Sequence, residues 1–545
     1  MIFLSTLLLS IFITIALVPI CSRLAVKYQV MDFPDKRKVH PQPMPRSGGI
    51  AMALGFFVCV VFFSPLTVLV KAILIGAGIV VLFGFIDDLR NLGFKAKFSA
   101  QLVAALVVVL YGGVKITSLG ALLPDNTLIP DWFAIPLTLI IIVGITNAIN
   151  LSDGLDGLAG GICLMSFGCL GFLAFQCENI PIFLLSTTVV GVIFGFLRFN
   201  TYPATLFMGD AGSQLLGFLL ATLSLGLTQG NIPISPLVPL FLWGFPVIDT
   251  LAVIVKRLFD GRHVFRADKN HFHHNLIRMG LFHTEAVFFI YIIQAIFITW
   301  AYFLRFYSEW PLLVVYLTFS TIVLISFFIA DRFHWKFRRY DLVDKFIKGR
   351  LKILKEKNIL IKVSFRTISA WVPGILFFSC FLPEGVPEYF LYITVALAGI
   401  VLATWFAKKE WMGGALRLAI YLFAPIVIYL GEANSATWVN PKFFQLYNFS
   451  FAILAIFVIL TVKFTRRTKG FKTNPMDFLI LLIALVVPNL PDPHIRSYHL
   501  GLIATKIIVL FFSYEVLIGE LRGRLKGLTM ATLAAMVVIG MKGVL

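Results

Sequence analysis

Apolar runs of about 17–22 residues, separated by polar segments, follow one another along almost the whole chain. A helix of this length can cross the roughly 30 Å hydrocarbon layer of a membrane. The pattern therefore predicts an all-α integral membrane protein, a polytopic helical bundle of about eighteen transmembrane helices. Eleven are predicted near residues 3–20, 48–69, 71–86, 99–115, 134–150, 158–176, 180–197, 212–228, 234–255, 285–304 and 311–330. About seven more are predicted near 366–384, 388–406, 414–430, 447–463, 476–490, 498–516 and 527–543.

The composition supports this pattern and excludes two other classes of protein. Of the 545 residues, 59% are hydrophobic and 13% are charged, whereas soluble domains have roughly 45–50% and about 25%. The six cysteines lie almost all inside apolar runs without the spacing of metal ligands, so a secreted disulfide scaffold is excluded. A net charge of +19 would suggest a nucleic-acid partner for a soluble protein, but none is expected for a membrane protein with basic loops.

Lysine and arginine are concentrated in every second loop. By the positive-inside rule these loops are cytoplasmic, and the N-terminus lies outside. The segment Asp331–Arg366 carries twelve Lys or Arg residues and predicts a basic cytoplasmic linker. The predicted domains are therefore a membrane domain of residues 1–330, the linker 331–366 and a second membrane region, 367–545.

Carboxylates gather at the predicted cytoplasmic ends of spans in the first membrane domain, where ionisable groups are costly and indicate function. The third span ends in Asp87 and Asp88, which repel one another and point about 100° apart on a helix. Such a pair suits a bound cation or a proton transfer. The alternative is a helix end turning into water, with Arg90 as the partner.

Four amide or carboxylate side chains recur every third residue where the fifth span ends, at Asn147, Asn150, Asp153 and Asp156. Two interrupting glycines, Gly154 and Gly157, predict that the helix ends and opens into a tight polar loop. Such a loop can present oxygens and backbone N–H groups to a phosphate or a sugar.

Asp210 stands between two glycines just before the eighth span. It could cap the helix, or it could be a hard oxygen ligand for a phosphate-bound Mg²⁺. Three residues earlier, Phe207 could offer a flat face to a nucleobase.

Three histidines, His271, His273 and His274, lie in the long basic loop after the ninth span. A zinc site is disfavoured because no further ligands follow at a suitable spacing. An anion site is favoured because imidazole and guanidinium groups both donate hydrogen bonds to phosphate. A solvated basic loop is the remaining alternative. A further basic segment, residues 35–49, lies on the same predicted side of the membrane as all these clusters.

Residues 1–330 resemble the polyprenyl-phosphate N-acetylhexosamine-1-phosphate transferases, an integral-membrane family that includes the MraY and WecA types. The strings that carry the resemblance are Arg37-Lys38-Val39-His40 with Pro45-Arg46-Ser47-Gly48-Gly49, Phe85-Ile86-Asp87-Asp88 with Lys97 and Gln101, residues 147–159, residues 207–213, and His271-Phe272-His273-His274. Five such strings in the family's order make the resemblance specific.

The resemblance implies that a sugar 1-phosphate passes from a UDP-sugar to undecaprenyl phosphate in a bacterial inner membrane, releasing UMP on the cytoplasmic side. It implies Mg²⁺, or Mn²⁺ in its place, at Asp210, with Asp87 and Asp88 as catalytic groups or further ligands. It also implies substrate contacts from Asn150, Asp153, Asp156, Phe207, His271, His273 and His274, with Lys38, His40, Arg46 and Lys97 contacting phosphates. One-step and two-step displacement both remain open, as do a monomer and a homodimer.

Phe272 interrupts the histidine run, which is continuous in the muramyl-pentapeptide enzymes. This favours UDP-N-acetylglucosamine as the donor, with phospho-MurNAc-pentapeptide transfer as the alternative. A transporter or flippase for lipid-linked sugars is disfavoured because transporters place binding groups near the midplane of the bilayer. Residues 367–545 carry no recognisable motif, and we expect them to be dispensable for the chemistry.

Overall fold

The computed structural model describes residues 2–33, 43–90, 92–124, 127–230, 233–259, 261, 271–333, 359–407, 412–433, 439–464, 500–521 and 525–542. The described elements fall into two compact units, a first with helices α1–α12 and a second with helices α13–α18.

The first unit is built from helices, with one very small β-ribbon. Its helices are α1 (Ile2–Lys27), α2 (Gly48–Phe63), α3 (Val68–Arg90), α4 (Phe94–Leu106), α5 (Asp131–Ser152), α6 (Leu158–Gln176), α7 (Ile180–Asn200), α8 (Gly209–Thr228), α9 (Val238–Phe259), α10 (Phe272–Arg278), α11 (His283–Phe303) and α12 (Glu309–Arg332). A π-helical turn, Val107–Tyr111, extends α4, and Gly120–Leu122 forms a 3₁₀ turn. Strands β1 (Met31–Asp32) and β2 (Met44–Pro45) pair antiparallel between α1 and α2.

The second unit is described only by helices. These are α13 (Ile359–Ser379), α14 (Glu388–Ala407), α15 (Met412–Ala433), α16 (Pro441–Phe464), α17 (Leu500–Leu521) and α18 (Lys526–Lys542). They share one apolar core, to which α15 contributes Leu416, Ile420, Phe423 and Val427.

The prediction of a polytopic all-helical membrane protein is confirmed. Twelve of the described helices are long and apolar enough to cross a membrane, ten in the first unit and two in the second. The count of eighteen spans stays a prediction, since the one near 476–490 lies outside the described residues. Helix α2 is shorter than predicted because Ser64 precedes Pro65 and takes extended backbone with ψ 140°.

Helix α8 lies at the centre of the first unit, and nearly all its side chains are buried. Its neighbours approach closely because small residues lie at the contacts. Gly84 of α3 abuts Ala211, and Gly217 abuts Thr146 of α5, with no room for a Cβ at either glycine. Close backbone approach at small residues is the usual way membrane helices gain packing contacts. It brings the ends of α3, α5 and α8 together at one end of the bundle.

Helix α9 is kinked at Gly244, where the backbone leaves the helical region, and Pro246 follows. The side chain of Gln294 on α11 repairs the interruption. Its Oε1 accepts a hydrogen bond from Phe245 N at 2.9 Å, and its Nε2 donates to Leu242 O at 3.1 Å. The kink is therefore a fixed part of the fold.

Candidate active site

Three carboxylates and a lysine meet where α3 ends and α4 and α8 begin. Lys97 Nζ lies 2.6 Å from Asp87 Oδ2 and 2.6 Å from Asp210 Oδ2. Asn150, in the last turn of α5, donates a hydrogen bond from Nδ2 to Asp210 Oδ1 at 2.7 Å. The structure thus brings together residues from three predicted clusters: Lys97 joins Asp87 to Asp210, and Asp210 joins Asn150.

Asp88 has a different environment from its neighbour Asp87. Its two carboxylate oxygens accept the backbone N–H groups of Asp210 at 3.0 Å and Ala211 at 3.2 Å. These N–H groups belong to the first turn of α8, where the helix dipole favours a negative charge. Asp88 therefore fastens α3 to the start of α8 and sets the position of Asp210, while Asp87 faces Lys97.

Arg46 borders the carboxylate cluster from the segment that follows β2. It forms an ion pair with Asp32 of β1, and its Nη1 lies 3.8 Å from Asp88 Oδ1. Burial opposes its charge, but Asp32, Asp88 and Asp210 outweigh burial and raise the pKa of Arg46. Arg46 is thus held as a cation beside the carboxylates. The other predicted phosphate contacts of this segment, Lys38 and His40, lie outside the described residues.

Phe207 lies beside the same segment. Its backbone N–H donates to Pro45 O at 2.8 Å, and its carbonyl oxygen accepts from Gly48 N at 3.0 Å. The ring is partly exposed. This pairing fixes the backbone of Phe207, which lies three residues before Asp210 in the sequence and so close to the carboxylates.

The polar loop predicted after the fifth span is present: α5 ends at Ser152 and α6 begins at Leu158. Gly157 has a φ of 79°, a left-handed conformation that favours glycine. Asp156 Oδ2 accepts from Ala204 N at 2.9 Å, while Asp156 N donates to His283 Nε2 at 3.1 Å. These contacts give Asp156 a role in fixing the loop, beyond the predicted role in substrate binding.

Asp153 is the first residue of this loop, directly after α5. Burial, together with the negative charges of Asp210, Asp156 and Asp88, raises its pKa to about 7. The side chain is partly exposed. Asp153 can therefore act as a hydrogen-bond donor or as an anion near neutral pH.

The histidine segment forms the short helix α10 and lies against the same loop. His271 and His273 stack, with ring centroids 5.7 Å apart and planes 12° apart. The His273 ring packs on Gly154 so closely that a Cβ there would overlap it. Burial, and then the neighbouring histidines, lowers the pKa of His273, so its ring is neutral at pH 7. His274 contacts the His273 ring, with centroids 4.2 Å apart.

Asp249 was not predicted from the sequence. This buried carboxylate of α9 accepts a hydrogen bond from Phe272 N at 2.9 Å, and its other oxygen lies 2.9 Å from His271 Nδ1. His283, which stacks on Tyr202, was not predicted either. The available signal for Asp249 was a single carboxylate inside an apolar run, which indicates function by default in a membrane helix.

The cluster suits a divalent cation only in part. Within the described residues, no group of three or more His, Cys, Asp or Glu side chains is arranged to hold a metal ion. However, Mg²⁺ usually takes one or two carboxylates and completes its coordination with water and substrate phosphates. Asp87 Oδ1 is buried without a hydrogen-bond partner in the described structure, and Asp210 lies across Lys97 from it. Asp87 and Asp210 therefore fit as ligands of a phosphate-bound Mg²⁺.

Comparisons with known proteins show which family this chain resembles. Residues 70–228 match the family described as Glycosyl transferase family 4. The chain is 36% identical over 319 residues to a Bacillus subtilis (strain 168) protein named "Probable undecaprenyl-phosphate N-acetylglucosaminyl 1-phosphate transferase". The match covers 58% of this chain and 88% of the relative. The chain is 34% identical over 307 residues to the Mycolicibacterium smegmatis "Decaprenyl-phosphate N-acetylglucosaminephosphotransferase". That match covers 49% of this chain and 74% of the relative.

An Escherichia coli (strain K12) protein is similar over a longer stretch. Its name is "Undecaprenyl-phosphate alpha-N-acetylglucosaminyl 1-phosphate transferase", and it is 30% identical over 363 residues. The match covers 64% of this chain and 95% of the relative. The matched stretches cover 49–64% of this chain.

Proposed function

Since this chain belongs to the polyprenyl-phosphate sugar-1-phosphate transferases of glycosyl transferase family 4, we propose that it transfers N-acetylglucosamine 1-phosphate from UDP-N-acetylglucosamine to undecaprenyl phosphate. The products are UMP and a lipid diphosphate sugar, the starting unit of a cell-envelope glycan. The names of the relatives support the sugar and the acceptor.

The observation that carries this proposal is the Lys97 ammonium held 2.6 Å from both Asp87 and Asp210. Phosphoryl transfer needs alignment and charge neutralisation more than covalent chemistry from the protein. Alternating carboxylates and cations, with Arg46 at the edge, can position two phosphates whose charges would otherwise repel. A binding protein for a neutral sugar would not need this arrangement.

We assign the metal to Asp210 and Asp87, with Asp88 holding Asp210 in place. When bound, Mg²⁺ would neutralise charge on the diphosphate of the donor. Lys97 would then be available to a phosphate oxygen. A lipid phosphate monoester has its second pKa near about 6 and is already mostly dianionic at neutral pH. Asp87 therefore need not deprotonate the acceptor, and a single in-line displacement suffices.

The remaining residues bind the nucleotide sugar in this proposal. Phe207 would stack on uracil, and the loop that carries Asp153 and Asp156 would contact the uridine and its diphosphate. His271, His273 and His274 would contact phosphate oxygens or the sugar. Neutral His273 can be a donor as readily as a cation, because an imidazole keeps one N–H in either tautomer.

The site would face the cytoplasm, where UDP-sugars are made. This orientation rests on the distribution of Lys and Arg among the loops, which puts the ends of α3 and α5 inside and the N-terminus outside. A bacterial inner membrane supplies the undecaprenyl phosphate that the reaction consumes.

The test is UMP release by the purified full chain with undecaprenyl phosphate, Mg²⁺ and a panel of UDP-sugars. We expect release with UDP-N-acetylglucosamine, loss on chelation of Mg²⁺, and at least about 100-fold loss in Asp210→Asn. A matched control is Asp131→Asn, since Asp131 also lies 2.6 Å from a lysine, Lys115, but is exposed at the other end of α5. Release only with UDP-MurNAc-pentapeptide would reassign the donor, and no release by folded protein would overturn the proposal.

A further inference from the structure

A second layer of polar side chains lies directly beneath the charged groups of the site. Lys97, Asp210 and Asn150 each have an amide side chain one helical turn further into the bundle: Gln101 on α4, Gln214 on α8 and Asn147 on α5. Spacings of three or four residues place both members of each pair on the same helix face. The site therefore has a charged layer and an amide layer, each drawn from the same three helices.

Gln101 is the centre of the amide layer. Its Oε1 accepts from Asn147 Nδ2 at 2.7 Å, and its Nε2 lies 3.4 Å from Asn147 Oδ1 and 3.3 Å from Gln214 Oε1. Asn147 Nδ2 also donates to Val143 O at 2.9 Å. Gln101 and Gln214 are 2% and 1% exposed, so these hydrogen bonds are shielded from water. Gln101 thus links α4 to both α5 and α8.

We propose that Gln101 is a positioning residue that fixes α4 against α5 and α8, so that Lys97 Nζ stays between Asp87 and Asp210. Hydrogen bonds between membrane helices contribute little free energy on average, so stability alone is a weak reason for three mutually bonded amides here. Their geometry matters more, because a displacement of about 1 Å in a reacting group can lower a rate by about 100-fold. The amides are neutral and largely satisfied by one another. They therefore support the charged layer without competing for Lys97.

The inference rests on the proposed transferase activity, and its first test uses that reaction. Gln101→Met keeps the length and volume of the side chain but removes its hydrogen bonds. We expect kcat for UMP release to fall about 10- to 100-fold while KM for the UDP-sugar changes less than about 3-fold. Gln101→Asn keeps the amide but is one methylene shorter, so kcat should again fall while KM changes little. This variant replaces Gln101→Met in the test if Gln101→Met does not fold.

The matched control is Ser224→Ala. Ser224 lies on α8, ten residues beyond Gln214, and its Oγ accepts a hydrogen bond from Trp243 Nε1 on α9 at 3.1 Å. The substitution removes a buried hydrogen bond between helices far from the charged layer. We expect a loss of thermal stability similar to that of Gln101→Met and a kcat within about 3-fold of wild type. An equal fall of kcat in both variants would overturn the proposal.

A second measurement does not depend on turnover. Lys97 is acetylated with a limiting amount of acetic anhydride, and its labelling is quantified by mass spectrometry against Lys115 in the same sample, whose side chain is similarly accessible and also paired with a carboxylate. We expect Lys97 to react several-fold faster in Gln101→Met than in wild type or Ser224→Ala, because its amine is no longer held between two carboxylates. Unchanged Lys97 reactivity would overturn the inference even in a protein without transferase activity. Inactive wild type with the expected labelling would refute only the proposed function.

Discussion

The carboxylate of Asp249 lies 2.9 Å from His271 Nδ1 and also accepts the backbone N–H of Phe272 at 2.9 Å. A carboxylate oxygen accepts, so the Nδ1–H of His271 donates to Asp249. Asp249 therefore sets both the orientation and the tautomer of His271. The kink at Gly244 precedes it by five residues on the same helix.

We expect Asp249→Asn to lower kcat/KM for UMP release about 10- to 100-fold, as substitutions behind a functional histidine generally do. Its amide would present an N–H to Nδ1 and would favour the opposite tautomer of His271. His271→Asn should cost at least as much, and the double variant should cost little more than the worse single variant. Additive losses in the double variant would show that Asp249 acts independently of His271.

Asp153 predicts a pH dependence of nucleotide-sugar binding. Its pKa, raised to about 7, means that the side chain ionises as the pH rises through neutrality. The new negative charge would repel the diphosphate, so affinity for UDP-N-acetylglucosamine should fall between pH 6 and 8, by about 5-fold for a repulsion of about 1 kcal/mol. Calorimetric titration measures this directly, and the diphosphate of the sugar nucleotide keeps its charge over the range.

Asp153→Asn mimics the protonated side chain, so its affinity should stay nearly constant from pH 6 to 8. The raised pKa of Asp153 also predicts how the stability of the folded protein depends on pH. Because the folded form binds a proton that the unfolded form has lost, the contribution of Asp153 to stability declines as the pH rises from about 4 to 7. Asp153→Asn should not show this loss of stability as the pH rises. An equally steep pH dependence of binding in Asp153→Asn would refute this prediction.

The division of labour between the two membrane regions is also testable. The relatives match a little more than half of this chain, and every described residue of the candidate site lies in the first unit. We expect a chain truncated near residue 350 to release UMP at a rate within a few-fold of the full chain. The measurement pairs the UMP assay with size-exclusion chromatography and thermal unfolding. A truncated protein that folds but releases no UMP would assign part of the chemistry to the second unit.

Much of the candidate site was predictable because its residues are polar groups at the ends of apolar runs. Asp87, Asn150 and Asp210 were found in this way. Lys97 was predicted only as a phosphate contact, since its pairing with Asp210, 113 residues later, depends on how three helices pack. Asn147 and Gln101 were singled out in the sequence, but their contact with each other and with Gln214 could not be predicted, because it depends on how α4, α5 and α8 pack.

The same limit applies to the second unit, where isolated charges formed no local motif. Glu515 pairs with Arg417 at 2.7 Å. Glu432 pairs with Lys506, 74 residues later. A sequence shows that a charge lies within an apolar helix, but its partner is known only when the helices are placed together.

The pair of Lys506 and Glu432 is buried, and the ammonium also faces aromatic rings of α16. Lys506 Nζ lies 4.3 Å from the centre of the Tyr447 ring and 5.0 Å from that of Phe444, and the lysine is 0% exposed. Removing one partner leaves the other charge uncompensated in a low-dielectric interior, which typically costs about 3–5 kcal/mol. We expect Lys506→Met and Glu432→Gln each to lower the thermal unfolding temperature of the detergent-solubilised chain. The double variant should recover most of that loss, because it removes both charges, and Arg417→Met provides a control at a more exposed ion pair. A double variant as unstable as the sum of the single variants would show that the pair does not stabilise the second unit by charge compensation.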